Sequence, residues 1–285
     1  MYHTEIRSKT QVITIGRDLS AVLIGERINP TGKKKFGQAL LARDYDAIRR
    51  EALAQVEQGA DVLDVNVGVA GVDEVKVLPE VVKIVAETVD VPLCIDSASP
   101  EALAAALKVY EGKALVNSVT GEEKSLERVL PIVKEYGAAV VGLCMDETGI
   151  PNDPEKRLAI AKKIVERAEK VGIDRSNIVI DCLTMTVSSD PMAATVTLRT
   201  VERVAEELKT NIILGISNVS FGLPDRHSLT KTMLAMALRA GLTCVIMDPM
   251  AEGMRRTVKA ADLLLGRDEW AMNYLAEYRQ YSEQS

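Results

Sequence analysis

Eight short apolar runs, each followed by a stretch of helical periodicity, constrain this chain more than any other feature. They are AVLIGERIN (21–29), DVLDVNVG (61–68), VPLCIDSAS (91–99), ALVNSV (114–119), AAVVGLCMD (138–146), NIVIDCLTM (177–185), NIILGISN (211–218) and TCVIMDP (243–249). A strand that is apolar along its whole length needs cover on both faces, which a parallel sheet with crossover helices provides. The intervening segments supply such helices. In DYDAIRREALAQVEQG, Asp44 reads as the N-cap and Gly59 as the stop, and in DPEKRLAIAKKIVERAEKVG, Pro154 stands in the first turn and Gly172 at the end. Eight strand–helix units close a (β/α)8 barrel. The expected fold class is therefore α/β, a single-domain TIM barrel with a short N-terminal extension. A doubly wound open sheet is the alternative; it would usually carry G-x-G-x-x-G after its first strand, and GERINPTG is not that motif.

The barrel is expected over residues 21–266. Residues 1–20, with QVITIGRD, read as an extension that could form a hairpin closing the barrel's N-terminal end, and residues 267–285 as a terminal helix and tail. At 285 residues, such a barrel fits as one domain with one large core. A net charge of -6 with no basic stripe argues against nucleic acid or an anionic membrane as partner. No apolar run reaches the roughly 20 residues a membrane span requires, and MYHTEIRSKTQ lacks a signal-peptide core. A cytoplasmic protein is expected. Cys94, Cys144, Cys182 and Cys244 lie in apolar runs without C-x-x-C spacing and read as reduced core residues. His3 and His227 are the only histidines, so a metal-free site is expected.

Polar residues gather where the runs end: Glu26, Arg27 and Asn29; Asp64 and Asn66; Asp96 and Ser97; Asn117 and Ser118; Asp146; Asp181; Ser217 and Asn218; Asp248. Barrel strands all point one way, so these positions share one rim, where barrel enzymes carry their active sites. Asp96, Asn117 and Asp181 interrupt apolar strands and read as functional. Asp64, Asp146 and Asp248 read equally well as caps of the following segments. A ring rich in carboxylates and amides suits a ligand with many N–H donors, such as an aminopyrimidine or pteridine, through charge-assisted hydrogen bonds. An octahedral magnesium site on Asp64, Asp96 and Asp181 is a rival reading. In GISNVSFG, burying Ser217, Asn218 and Ser220 unbonded would cost roughly 1–3 kcal/mol each, which a ligand would relieve. Lys33, Lys34 and Lys35 read as a solvated loop that could also meet an anionic ligand tail. Met233 and Met236 read as core, and His227 as a surface or helix-entry residue.

GERINPTG, LDVNVG, CIDS, VNS, GLCMDETGIP, IDCL, GISNVSFG and LTKTMLAMALRAGL, in this order from about residue 21 to residue 249, together resemble the pterin-binding methyltransferases. These move a methyl group between methyltetrahydrofolate and a corrinoid, and the folate domain of cobalamin-dependent methionine synthase is related to them. The resemblance implies that Glu26, Asp96, Asn117 and Asp181 hold the pterin ring. It also implies that Gly215, Ser217 and Asn218 lie under its reactive edge, with Asn218 at N5, and that Arg226 stands in the loop beyond. Asn218 and Asp96 are then the catalytic candidates, with tetrahydrofolate or 5-methyltetrahydrofolate as substrate and cobalamin as methyl donor or acceptor. No D-x-H-x-x-G corrinoid motif is present, so a separate corrinoid protein is the implied partner, and a homodimer the implied assembly. A dihydropteroate synthase-like pterin condensation is the alternative.

Overall fold

The computed structural model describes residues 2–284, with side chains through residue 279; Met1 and the tail's last residue, Ser285, lie outside the described residues. An antiparallel hairpin, β1 (Thr4–Arg7) and β2 (Val12–Ile15), precedes the barrel. The barrel strands are β3 (Val22–Ile28), β4 (Val62–Asn66), β5 (Leu93–Asp96), β6 (Leu115–Thr120), β7 (Ala139–Leu143), β8 (Ile178–Asp181), β9 (Asn211–Gly215) and β10 (Cys244–Met247). All pair in parallel with their sequence neighbours, and β10 pairs β3 to close the barrel. The single-domain TIM barrel expected from the eight runs is what the chain forms.

Helices α1 (Lys34–Ala42) and α2 (Tyr45–Glu57) follow β3; α3 (Glu74–Thr88), α4 (Pro100–Val109), α5 (Glu123–Tyr136), α6 (Pro154–Lys170), α7 (Ala193–Glu207), α8 (Arg226–Ala240) and α9 (Met254–Leu264) follow the strands in turn, and α10 (Met272–Gln284) closes the chain. Local signals act as their chemistry requires. The Asp44 carboxylate accepts from the Ala47 N–H at 3.1 Å, and the Asp153 carboxylate from the Lys156 N–H at 2.9 Å. Gly59 and Gly172 take the positive φ values of 86° and 84° that end their helices.

The barrel separates two apolar shells by strict alternation. Leu23, Leu63, Leu93, Val116, Val140, Ile180, Leu214 and Val245 face the helices. Val22 and Ile24, Val62, Cys94, Leu115, Ala139 and Val141, Val179, Ile213 and Cys244 fill the lumen. The hairpin seals the lumen's N-terminal end: Ile6 and Ile15 are fully buried in the same cluster. Asn211, buried at the start of β9, pins it there, its Nδ2 donating to Thr4 Oγ1 and to the Ile15 carbonyl, both at 2.9 Å. Met233 is core, but Met236 is 51% exposed on α8, because the helix presents that turn to solvent. The four cysteines are free and buried. Among the described residues, no helix is long and apolar enough to cross a membrane.

Truncating Ile15 to alanine opens a cavity at the sealed end. Ile15→Ala is expected to lower stability by about 2–5 kcal/mol, read as a fall in the denaturant midpoint. An unchanged midpoint would show that the hairpin adds nothing to the lumen core.

Candidate active site

The inward positions of each strand run in twos, and on every strand but β7 the last of them lies in an open cleft of about 550 Å³ at the C-terminal end of the barrel. After Val22 and Ile24 comes Glu26; after Val62, Asp64; after Cys94, Asp96; after Leu115, Asn117; after Val179, Asp181; after Ile213, Gly215. The lumen is thus apolar below and polar in its top layer. Ser217, Asn218 and Arg226 complete the wall above β9, so the eight residues that the family resemblance assigns to the ring meet in this one cleft.

Of the rest of the expected ring, Asn29 and Asp64 also line the cleft, whereas Arg27, Asn66, Ser97, Ser118, Asp146 and Asp248 do not. Arg27, one residue out of phase, forms ion pairs with Glu51 and, at 2.9 Å, with Asp248, tying the end of β3 to α2 and to the loop after β10. Ser97 donates to Glu74 at 2.6 Å, and Asp146 accepts from the Thr148 N–H at 2.9 Å in a tight turn. Asn66 accepts from the Gly68 N–H at 2.8 Å. These groups are spent on local structure. Asp64, which read equally as a cap, does face the cleft.

GISNVSFG also divides. The strand stops at Gly215, and Ile216–Ser220 forms a short 3-10 turn rather than a strand end. Ser220 is fully buried and satisfied within the protein, donating to the Ser217 carbonyl at 3.2 Å and accepting from Arg226 Nε at 3.1 Å, so it needs no ligand. Ser217 Oγ donates to Glu26 Oε1 at 3.3 Å. Asn218 is exposed to the cleft, and its side-chain amide makes no hydrogen bond to the described residues. Gly215 leaves it room: a Cβ there would lie 3.4 Å from Asn218 Nδ2.

The cleft is acidic but not fully ionised. Burial, with the neighbouring Asp96 charge, pushes the Asp64 carboxyl well above the usual carboxylate range. Burial likewise pushes Asp96 up to about 6, although Asn66 opposes the shift. Asp181 is also pushed up to about 6 by burial, against the pull of its bond from the Leu183 N–H and of Arg157. Glu26 is raised by burial and partly relieved by Lys33. Asn117 Nδ2 donates to Asp64 Oδ1 at 3.4 Å. Among the described residues, no three His, Cys, Asp or Glu side chains gather closely enough to hold a metal ion, so the magnesium reading on Asp64, Asp96 and Asp181 finds no site.

Two contributors lie outside the expected set. Lys33 is half-buried in the cleft rather than solvated, its Nζ donating to the Glu26 and Arg27 carbonyls at 2.9 and 3.3 Å, while Lys34 and Lys35 are exposed. The run NIVIDCLTM ends as strand at Asp181, and Leu183, Thr184 and Met185 turn back along the cleft wall. Thr184 is 6% exposed, and its hydroxyl has no partner among the described residues.

A barrel whose polar top layer combines carboxylates, an amide and an uncommitted asparagine defines a site for a flat ring rich in N–H donors. The pterin binding enzyme family matches residues 25–248. The methylcorrinoid:tetrahydrofolate methyltransferase of Eubacterium limosum is 34% identical over 265 residues, covering 91% of this chain and 96% of that protein. The methionine synthase of Mycobacterium tuberculosis is 31% identical over 260 residues, 86% of this chain but only 22% of that longer protein. In fold, the chain is similar to dihydropteroate synthases from Clostridium difficile (TM-score 0.70, 21% identity, 86% of this chain and 97% of that one) and Vibrio fischeri (TM-score 0.70, 16% identity, 93% and 99%). The chain belongs to the pterin-binding enzyme family, and within it is related to the methylcorrinoid:tetrahydrofolate methyltransferase and methionine synthase sequences.

The acid cluster carries a stability cost that fixes a testable sign. Asp181 is raised from 3.8 to about 6, so the folded protein holds a proton that the unfolded chain releases. Its contribution therefore weakens as pH rises between these two values and stays weak above them. Asp181→Asn keeps the acceptor for the Leu183 N–H and removes the charge. The variant is expected to be about 1–3 kcal/mol more stable than the parent near pH 8, with a flatter profile on the acid side. Equal or lower stability in denaturant titrations would contradict the burial argument.

Proposed function

We propose that this protein transfers a methyl group between N5 of tetrahydrofolate and the cobalt of a corrinoid carried by a separate protein. The observation that carries the reading is the single cleft holding Glu26, Asp96, Asn117 and Asp181 with the unbonded amide of Asn218. The carboxylates and Asn117 take the ring's N–H groups, and Gly215, Ser217 and Arg226 shape the wall beside its reactive edge. The similarity to the Eubacterium limosum methyltransferase, over nearly the whole of both chains, supports the choice of reaction.

In the direction away from folate, the N5–methyl bond breaks, the methyl group goes to the electron pair of cobalt(I), and the N5 lone pair takes a proton. Without that proton the leaving group is an amide anion. General acid assistance of this kind contributes about 10²–10⁴-fold, roughly 3–5 kcal/mol of barrier. Asn218 Oδ1 accepts from the protonated nitrogen and so stabilises the charged, methylated ring. Asp96, raised to about 6 beside Asp64, which burial also raises, titrates close enough to neutrality to pass a proton to N5 through water. The corrinoid provides the cobalt nucleophile or the methyl–cobalt bond; the chain provides the pocket, the orientation and the proton.

The cleft mouth suits such a partner. Ile150 and Phe221 on its walls are 37% and 48% exposed, and Met192 and Met250, in loops at the same end of the barrel, are 51% and 45% exposed. Apolar surface of this kind receives a flat macrocycle and the protein that carries it. A homodimer is part of the same reading, with Leu264, Trp270 and Met272, all strongly exposed, as apolar surface for pairing.

An anaerobic spectroscopic assay with methylcobalamin and tetrahydrofolate tests the reaction. Loss of the methylcobalamin spectrum with formation of methyltetrahydrofolate is expected, slowed by about tenfold or more in Asn218→Ala. Pterin binding without methyl movement, even with a corrinoid protein supplied, would overturn methyl transfer in favour of a pterin-condensing role.

A further inference from the structure

Arg157 on α6 is 1% exposed, and among the described residues no carboxylate lies at ion-pair distance from it. Arg267, the other deeply placed arginine, pairs with Asp262 at 3.2 Å. An unpaired buried cation is costly to keep, so its surroundings have to hold it by other means. Arg157 spends its guanidinium on three backbone carbonyls: Nε donates to Pro151 at 2.8 Å, and Nη1 to Cys182 at 2.7 Å and Leu183 at 2.8 Å.

Those carbonyls belong to two different loops, and both loops form the cleft. Pro151 follows Ile150 on one wall, and Leu183 precedes Thr184 and Met185 on the next. Leu183 has a left-handed backbone, φ 61°, which a branched side chain adopts only when its neighbours enforce it. The enforcement is visible. The Leu183 carbonyl also accepts from Thr197 Oγ1 at 2.9 Å, and its N–H donates to Asp181 Oδ1 at 2.7 Å. That bond uses one oxygen of Asp181 and leaves the other for a ligand in the cleft.

We propose that Arg157 is a positioning residue for ligand binding: it fixes the two loop walls and supplies the buried positive charge that keeps Asp181 an acceptor. The proposal rests on the pterin reading above. The groups that face Asp181 are few. Arg157 comes from α6; the thiols of Cys182 and, on β10, Cys244 are pushed up by burial and stay neutral; and Cys144 neighbours Cys182 and Arg157. Across the cleft stand Glu26, Asp64 and Asp96, all acidic. Lys33 and Arg226 line the same cleft, but it is Arg157, bonded to the Cys182 and Leu183 carbonyls next along the chain, that pulls Asp181 toward the ionised form.

Calorimetric titration with 5-methyltetrahydrofolate over about pH 6 to 8 separates the two roles. Wild-type affinity is expected to fall on the acid side as Asp181 takes a proton. Arg157→Met is expected to move that fall upward by about one pH unit, giving an affinity roughly threefold below wild type near pH 6.5 and about fivefold near pH 6, beyond any uniform loss. Arg157→Lys keeps the charge but not the planar fork, so its acid limb stays in place while affinity drops severalfold at every pH. Asp181→Asn removes the part of the limb that Asp181 contributes and leaves that of Asp96, and adding Arg157→Met does not shift what remains. A methionine variant with the wild-type limb overturns the charge role, and a lysine variant with wild-type affinity overturns the positioning role. Should the methionine variant not fold, an acid limb displaced in the lysine variant is the overturning result. Absence of pterin binding by the wild-type protein is a different failure: it removes the functional reading itself, and the proposal with it.

Discussion

A carboxyl group at the end of an apolar strand is the element on which this structure turns. In most folds it would be a defect, because low-dielectric surroundings penalise its charge and no neighbouring strand supplies a cation. Here closure of the barrel brings Glu26, Asp64, Asp96 and Asp181 to one level, where none has an arginine or lysine at ion-pair distance; Lys33 lowers Glu26 only from a distance. The energetic consequence is a cluster that holds its protons to higher pH than free carboxyls do. The chemical consequence is a surface of acceptors waiting for N–H donors. Both follow from one constraint, that parallel strands in a closed barrel end on the same side.

The fold was legible because two periods were both clear: continuous apolar runs for strands buried on both faces, and amphipathic repeats with caps between them. The cleft was legible for a related reason. Glu26, Asp64, Asp96, Asn117 and Asp181 each fall an even number of residues after lumen-facing apolar positions, and alternation alone carries them inward. The same rule separates them from Arg27, Ser97 and Ser118, which stand one step out of phase. Proximity to a strand's end was therefore a weaker guide than parity along the strand.

What the sequence hid depended on loops. Nothing local distinguishes Lys33 from Lys34 and Lys35; the chain's path after β3 turns one toward Glu26 and leaves the others in solvent. Ser220 looked like a ligand-binding residue beside Ser217 and Asn218, yet the 3-10 turn directs it inward to Arg226 and Thr230. Asp248 could not be judged without Arg27, 221 residues away in sequence. Met236 has helical spacing from Met233, but three residues turn a helix by about 300°, enough to carry a side chain past the edge of a narrow buried stripe.

The two ends of the barrel show why the cost of the acid cluster can be borne. At the N-terminal end the hairpin, with buried Ile6 and Ile15 and the Asn211 Nδ2 bonds that hold it, closes the lumen with apolar side chains. At the C-terminal end the top layer is polar and its carboxyls raised, so its stability is traded for binding capacity. A ligand that donates N–H groups to this layer recovers part of what burial took, because each hydrogen bond favours the ionised carboxylate that the empty cleft penalises. For such a ligand binding and ionisation are linked, and its uptake would release protons from the cleft. Asn218 stands outside that exchange, exposed and uncommitted, which in the methyl transfer proposed above leaves its amide free to follow the charge on N5.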